Sequence, residues 1–277
     1  MSIKSSPSII ANTLLIANFE LRKLFFQRRG IIALACFTLV WALILFYPVK
    51  SAAELILVDG FKEFTSGFAH SNNAEKILNW PVAEMSVYWV IALLAFPIFS
   101  LILTADQFAS DKQRGTLRFL LLRSQRDSIY FGRFLAQIYI QATLIIISVV
   151  ATIILATYRE FDLLLPALSI GTLVSVALII NLLPYTALLG VFSLYAKGAR
   201  QATILAILLM TIVSIVFSII NYYLPQTGFI NLIKPGEQIF DMINTQGVGV
   251  LSYSLIPLLQ TVAILTFGRF YIQRKAL

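Results

Sequence analysis

One histidine, His70, and one cysteine, Cys36, occur among the 277 residues. Zinc sites built from His and Cys, and a nucleophile activated by a neighbouring His, need more than this. His70 stands in a polar stretch and reads as an ordinary loop residue, while Cys36 lies in an apolar run and allows no intrachain disulfide. The patterned residues lie elsewhere, in DQFASDKQRGTLRFLLLRSQRDSIYFGR at 106–133. Leu117, Leu120, Leu121 and Ser124 follow i, i+3, i+4, i+7 spacing and share one helical face, with Arg114 and Arg118 on another. Gly115 and Thr116 mark a bend with Thr116 as N-cap, and Asp111 is spaced to pair with Arg114. An apolar ridge flanked by guanidinium groups can enter a groove on a second protein, the arginines meeting carboxylates at its rim. That is recognition chemistry, not bond-making. The same pattern also fits a solvated basic loop whose leucines lie on a bilayer surface.

The elements that carry this segment follow from composition. The chain is 59% hydrophobic and 12% charged, with a mean hydropathy of +0.86. Those values exclude a water-soluble globular domain, a disordered chain and a disulfide scaffold. Charge-free stretches at about 31–47, 85–105, 134–157, 163–192, 202–222 and 250–268 are each long enough, or nearly so, to cross ~30 Å of hydrocarbon as a helix. The expectation is an all-α polytopic membrane protein with six transmembrane helices in a single permease domain covering 1–277. Pro48 ends the first span, and Pro166 and Pro184 offer breaks in the long fourth one.

Every charged residue falls in a connecting segment. Lys4, Arg22, Lys23, Arg28 and Arg29, then the basic residues of 106–133, then Lys197, Arg200, Arg269, Arg274 and Lys275 lie on one side, leaving Lys50, Lys62, Lys76, Arg159 and Lys234 on the other. The positive-inside rule places both termini in the cytoplasm. The net charge of +8 is then a topology signal, and a nucleic-acid partner has no folded domain to receive it.

The N-terminus lacks the pattern of a cleaved secretory signal. Instead, residues 9–28 set Ile10, Leu14, Ala17, Leu21, Leu24 and Phe25 at helical spacing with Glu20, Arg22 and Arg28 off that stripe. This predicts a helix lying in the cytoplasmic interface and turning at Gly30 into the first span. The outer loop 48–84 has room for a short helix near 52–64. The outer segment at about 229–247 mixes apolar pairs with Pro and Gly, which predicts a re-entrant or interfacial helix.

Polar residues inside the spans include Gln137, Gln141, Asn181, Tyr185 and Thr186. Interhelical hydrogen bonding is the first expectation for them, and lining of a substrate path the second, with Gln137, Gln141, Asn181 and Tyr185 as its residues. No ionisable residue lies deep in a span, which weighs against an ion-coupled secondary transporter and an intramembrane enzyme. A membrane anchor that recruits a cytoplasmic partner through 106–133 stays open as well.

The run Asp111-x-x-x-Gly115-Thr116-Leu117-x-x-Leu120-Leu121, then Arg126 and Gly132-Arg133, resembles the first cytoplasmic loop of ABC-2 type transporter permeases. Phe19-Glu20-Leu21 with Arg28, and Lys234-Pro235-x-x-x-Ile239-Phe240, are similar to the segments ahead of that family's first and last spans. Ser124 stands where the family commonly has Pro, and Arg133 where it commonly has Lys. Within the family the combination looks closest to the branch with nitrous-oxide-reductase maturation and gliding-motility permeases.

The resemblance implies a dimer, with a second copy or a related paralogue, in a bacterial inner membrane. It also implies a separate cytoplasmic ATP-binding cassette ATPase for each permease, and transport in the export direction. This sequence has no Gly-x-x-x-x-Gly-Lys-Ser/Thr phosphate cradle, so ATP and Mg would sit on that partner and this chain would bind no cofactor and perform no hydrolysis. By the same resemblance, Asp111, Arg114, Gly115, Thr116, Leu117, Leu120, Leu121, Ser124 and Arg126 would form the coupling helix, and Glu20, Arg22 and Arg28 would support it from the interfacial helix. The substrate is not legible.

Overall fold

The charge-free runs become long helices because, away from water, only a helix satisfies each backbone N–H and C=O within its own segment. The structure, a computed structural model, describes residues 9–58 and 80–274. Its helices are α1 (Ile9–Phe26), α2 (Arg28–Ile44), α3 (Lys50–Ile56), α4 (Ala83–Thr104), α5 (Ala109–Gln113), α6 (Thr116–Arg123), α7 (Arg126–Arg159), α8 (Leu164–Tyr195), α9 (Ala199–Tyr223), α10 (Ile239–Ile243) and α11 (Leu255–Arg274). Six stretches are long and apolar enough to cross a membrane: Gly30–Ile56, Ala83–Gln113, Arg126–Arg159, Phe161–Tyr195, Ala199–Tyr223 and Gly247–Arg274. The fold class is therefore helical with six spans, as the sequence implies.

The core sits where α4, α7 and α8 meet, around Met85, Tyr88, Trp89, Leu93, Ile145, Val149, Val174 and Leu178. Small residues bring the helices close. A Cβ on Gly171 of α8 would come within 2.9 Å of Val149 and 3.0 Å of Ile153 on α7. Tyr88 and Ser148 share a hydrogen bond of 2.7 Å between α4 and α7. At one end of the bundle, the Arg159 guanidinium donates twice to Glu84, at 2.7 and 3.2 Å, closing the start of α4 onto the end of α7. The opposite end carries Arg114, Arg126, Lys197, Arg269 and Arg274 and is called the basic end below.

Several boundaries differ from the sequence expectation. The first span does not stop at Pro48. A π turn over Leu45–Val49 contains Pro48 and leads directly into α3; the wider turn accommodates a residue without an N–H that would break a regular helix. The remainder of the short helix expected near 52–64, and His70, lie outside the described residues. The fourth span is unbroken, with Pro184 inside it and Pro166 in its first turn, where a missing N–H costs nothing. The 106–133 segment is not loop to its end, because α7 begins at Arg126.

The N-terminal helix turns at Gln27, which is extended at φ −95° and ψ 141°, rather than at Gly30, which is already helical. One side of it packs on the bundle. Ala17 is buried, whereas Ile10 and Leu14 are exposed. The reason lies in α7, whose Gly132 lets Ile16 and the Thr13 carbonyl come against its backbone, while the Ser128 hydroxyl donates to the Ile9 carbonyl. The inward stripe is set by the smallest residues of the neighbour, not by the largest apolar ones of α1.

Between α9 and α11 the chain folds back among the other helices through a 3₁₀ stretch, Pro225–Ile233, and α10. Trp89 Nε1 of α4 donates to the Met242 carbonyl at 3.2 Å, and Gln260 Nε2 of α11 donates to the carbonyls of Leu232 and Lys234 at 2.6 and 3.2 Å. Gln238 reaches Asn181, a residue near the middle of α8. Gly236 turns the segment at φ +88°, a left-handed conformation that suits glycine. Lys234 and Glu237 form an ion pair of 2.6 Å beside that turn, so charge comes closer to the middle of the bundle than the sequence map of the spans implies.

Candidate functional site

The basic end is organised by one corner. Gly115 adopts φ +72°, in the left-handed region, and joins α5 to α6 without a connecting loop. It is therefore Gly115, not Thr116, that caps α6. The Thr116 hydroxyl instead donates back to the Asp111 carboxylate at 2.9 Å. Asp111 does not pair with Arg114, which is exposed. Its carboxylate accepts from the Arg133 guanidinium, and Arg133 also donates to the Gln107 carbonyl and lies over the Phe108 ring with 5.2 Å to its centroid.

Three further groups lock this corner to the long helices. Ser193 Oγ of α8 accepts from the Phe108 and Ala109 backbone N–H groups at 2.7 and 3.0 Å, capping α5 from outside its own helix. Lys112 donates to the carbonyls of Leu194, Tyr195 and Ala196 at 3.0, 3.1 and 3.2 Å, where the end of α8 presents its orphan acceptors. Arg126 does the same for α11, donating to the Ile272 and Gln273 carbonyls at 3.0 Å each. Arg126 is thus engaged with its own chain rather than held outward. Sequence spacing does not single out Gln107, Lys112 or Ser193; the Gly132-Arg133 pair is the signal that points to Arg133.

The leucine ridge is split by the fold. Leu117 is 2% exposed and packs with Phe108, Ile129, Tyr130, Leu194 and Ile272, so it belongs to the core of this corner. The outward apolar side chains of α6 are Phe119, 71% exposed, Leu122, 82% exposed, and Leu120. Leu121 lies in α6, and its side chain is outside the described residues. A groove of about 780 Å³ runs between α1 and α6, with Phe19, Glu20 and Lys23 on one wall and Asp111, Thr116, Phe119, Leu120, Leu122 and Ser124 on the other. Glu20 and Lys23 are ion-paired there at 2.8 Å. Arg22 lines a neighbouring shallow depression with Phe26 and Gln27, and Arg28 is exposed at the start of α2. The fold thus gathers Glu20, Asp111, Thr116, Leu120 and Ser124 around one groove and leaves Arg22, Arg28 and Arg114 outside it.

The polar residues between the helices fall into two groups. Gln141 donates to Ser100 Oγ and Thr186 Oγ1 at 3.2 and 3.0 Å and accepts from Thr186 at 3.2 Å, tying α4, α7 and α8 together. Asn181 and Tyr185 instead face the folded-back segment, Asn181 accepting from Gln238 and the Tyr185 ring packing against Gly236. Gln137 is half-buried on α7. These residues do not form one cluster. Among the described residues no three His, Cys, Asp or Glu side chains come together as a metal site.

The family model described as ABC-2 family transporter protein matches residues 14–269. No curated protein matches the chain. The match spans the first five membrane-crossing stretches, most of the sixth and the corner at Gly115, and the chain accordingly belongs to the ABC-2 transporter family, as a multi-pass membrane subunit of an ABC transporter and not its ATPase.

Proposed function

We propose that this chain is the translocation subunit of an ABC-2 exporter in a bacterial inner membrane, with its basic end in the cytoplasm. It works as a dimer with a second copy or a related paralogue, and each permease presents α6, beside the groove it forms with α1, to the cleft of one ATP-binding cassette ATPase. ATP and Mg belong to that subunit. The observation that carries the reading is the groove itself, with Phe119 and Leu122 exposed on a short helix beside the Glu20–Lys23 pair. Large apolar side chains of this kind, ringed by charge, suit a partner's cleft.

The corner also explains how force would travel. Displacement of α6 acts through Gly115 on α5. From there Asp111 pulls on α7 through Arg133, Lys112 pulls on the end of α8, and Arg126 links the start of α7 to the end of α11. Two ATPase states that hold α6 differently would thereby bias two arrangements of the long helices. The exposed faces of α2 and α9, the latter with only Ala202 and Ala206 buried among its residues, leave apolar surface for the second permease and for lipid.

The test is affinity purification from native membranes in mild detergent, with mass spectrometry of what accompanies the chain. An ATP-binding subunit should be recovered with the wild type and reduced at least tenfold with Phe119→Glu/Leu122→Glu. Recovery of the chain alone, under conditions that keep other membrane complexes intact, would favour a self-contained carrier or an anchor.

A further inference from the structure

Asn181 on α8 and Gln238 in the folded-back segment are 1% and 2% exposed. One hydrogen bond of 3.3 Å joins them, from Gln238 Nε2 to Asn181 Oδ1. Asn181 Nδ2 and Gln238 Oε1 are left without partners. Exchanging oxygen and nitrogen in both amides only reverses the shared bond, so one donor and one acceptor remain over in either arrangement. Buried polar atoms of this kind are normally satisfied, and each left open is unfavourable. A third, Gln260 Oε1 of α11, is also without a partner, although its Nε2 holds the carbonyls of Leu232 and Lys234. Lys234 and Glu237 flank the Gly236 turn and neutralise one another.

The two orphans of the junction define a complement. An anion brings only acceptors, which suit the Asn181 N–H but oppose Gln238 Oε1. An ammonium brings only donors and leaves Asn181 open. An alkyl group satisfies none of them. A hydroxyl or a primary amide both donates and accepts, and carries no charge that the Lys234–Glu237 pair would have to balance. We infer that the Asn181–Gln238 junction recognises a neutral hydroxyl- or amide-bearing group of the transported molecule. This rests on the permease reading above and names the chemistry that reading leaves open.

Trp89 supplies a reporter in a Trp41→Phe/Trp80→Phe background, because its indole N–H bonds the Met242 carbonyl of the same folded-back segment. The chain with its ATPase subunit, in phosphatidylcholine nanodiscs, is titrated below micelle formation with octyl β-glucoside and separately with octylphosphocholine. The two probes share a chain length, but the second offers acceptors only. The glucoside should give a saturable change in tryptophan emission with a midpoint at least tenfold lower. Asn181→Leu, and independently Gln238→Met, which keeps shape without the amide, should each remove that preference. Equal midpoints for the two probes, or full preference in both variants, would overturn the inference and leave the orphan atoms to trapped water. Recovery of the ATPase subunit is scored on the same sample before titration. Its absence would count against the permease reading alone, since the chain by itself in the same nanodiscs still answers the probe question.

Discussion

Arg133, in the second turn of α7, is ion-paired with Asp111 of α5, 22 residues earlier in the chain and across the Gly115 corner. The pair is the bolt of the basic end. Arg133 is buried, and its second donor is committed to the Gln107 carbonyl, so removing Asp111 strands a guanidinium that cannot easily reach water.

Asp111→Asn should lower the stability of the purified protein by about 1–3 kcal/mol, the range for a lost charge-assisted hydrogen bond with its partner left behind. Asp111→Asn/Arg133→Gln should cost less than the sum of the two single changes. Full additivity in thermal melts would remove the pair from its assigned role.

Leu117 and Leu122 lie in one short helix and should respond oppositely. Leu117→Ala opens a cavity among Phe108, Ile129, Tyr130, Leu194 and Ile272, at a cost of about 2–5 kcal/mol, and Leu117→Glu should prevent accumulation of folded protein. Leu122→Glu alters an exposed side chain and should leave yield and melting temperature within experimental scatter while weakening partner recovery. Thermal melts and size-exclusion profiles of the two glutamate variants decide between them. Similar stability in both would place Leu117 on the surface.

Gly115 has open space around a Cβ but a positive φ, so substitution there strains the backbone rather than the packing. Gly115→Asn should be tolerated, Gly115→Ala should cost about 1 kcal/mol, and Gly115→Val more, in the order of their aversion to the left-handed region. Melting temperatures ranked by side-chain volume regardless of backbone preference would point to a steric cause.

The six spans were legible because lipid demands charge-free runs of a given length, and such runs leave a mark that no tertiary detail can erase. Apolar pairs beside Pro and Gly at 229–247 mark a segment that avoids water, and Gln238 and the Met242 carbonyl bond to Asn181 and Trp89 of the long helices. What sequence did not reveal is which side of a short helix faces its own chain. Leu117, Leu120 and Leu121 are equivalent by spacing, and the assignment of Leu117 to the interior depends on Phe108 and Tyr130 meeting beneath it, from elements on either side. The same holds for α1, where Gly132 and Ser128 of α7 decide the inward face. Arg126 reads from the sequence as part of the coupling segment and Lys112 only as a basic residue of 106–133, because the carbonyls they satisfy belong to the ends of α11 and α8, 146 and 82 residues away for the bonds to Ile272 and Leu194. Asn181 was visible as a polar residue in a span, but its partner Gln238 was not, since nothing local fixes how deeply the folded-back segment enters.

The central claim is that α6 lies in the cleft of an ATPase, and photo-crosslinking from its outward face tests this most directly. A photoreactive residue at Leu122, compared with one at Tyr222 at the far end of α9, is irradiated in native membranes and the adducts are identified by mass spectrometry. Adducts of Leu122 with an ATP-binding subunit, absent from Tyr222 and changed in yield when a non-hydrolysable ATP analogue is added, are the predicted result. Adducts of Leu122 with lipid alone, in membranes where the ATP-binding subunit is present, would contradict the account and return α6 to the bilayer surface.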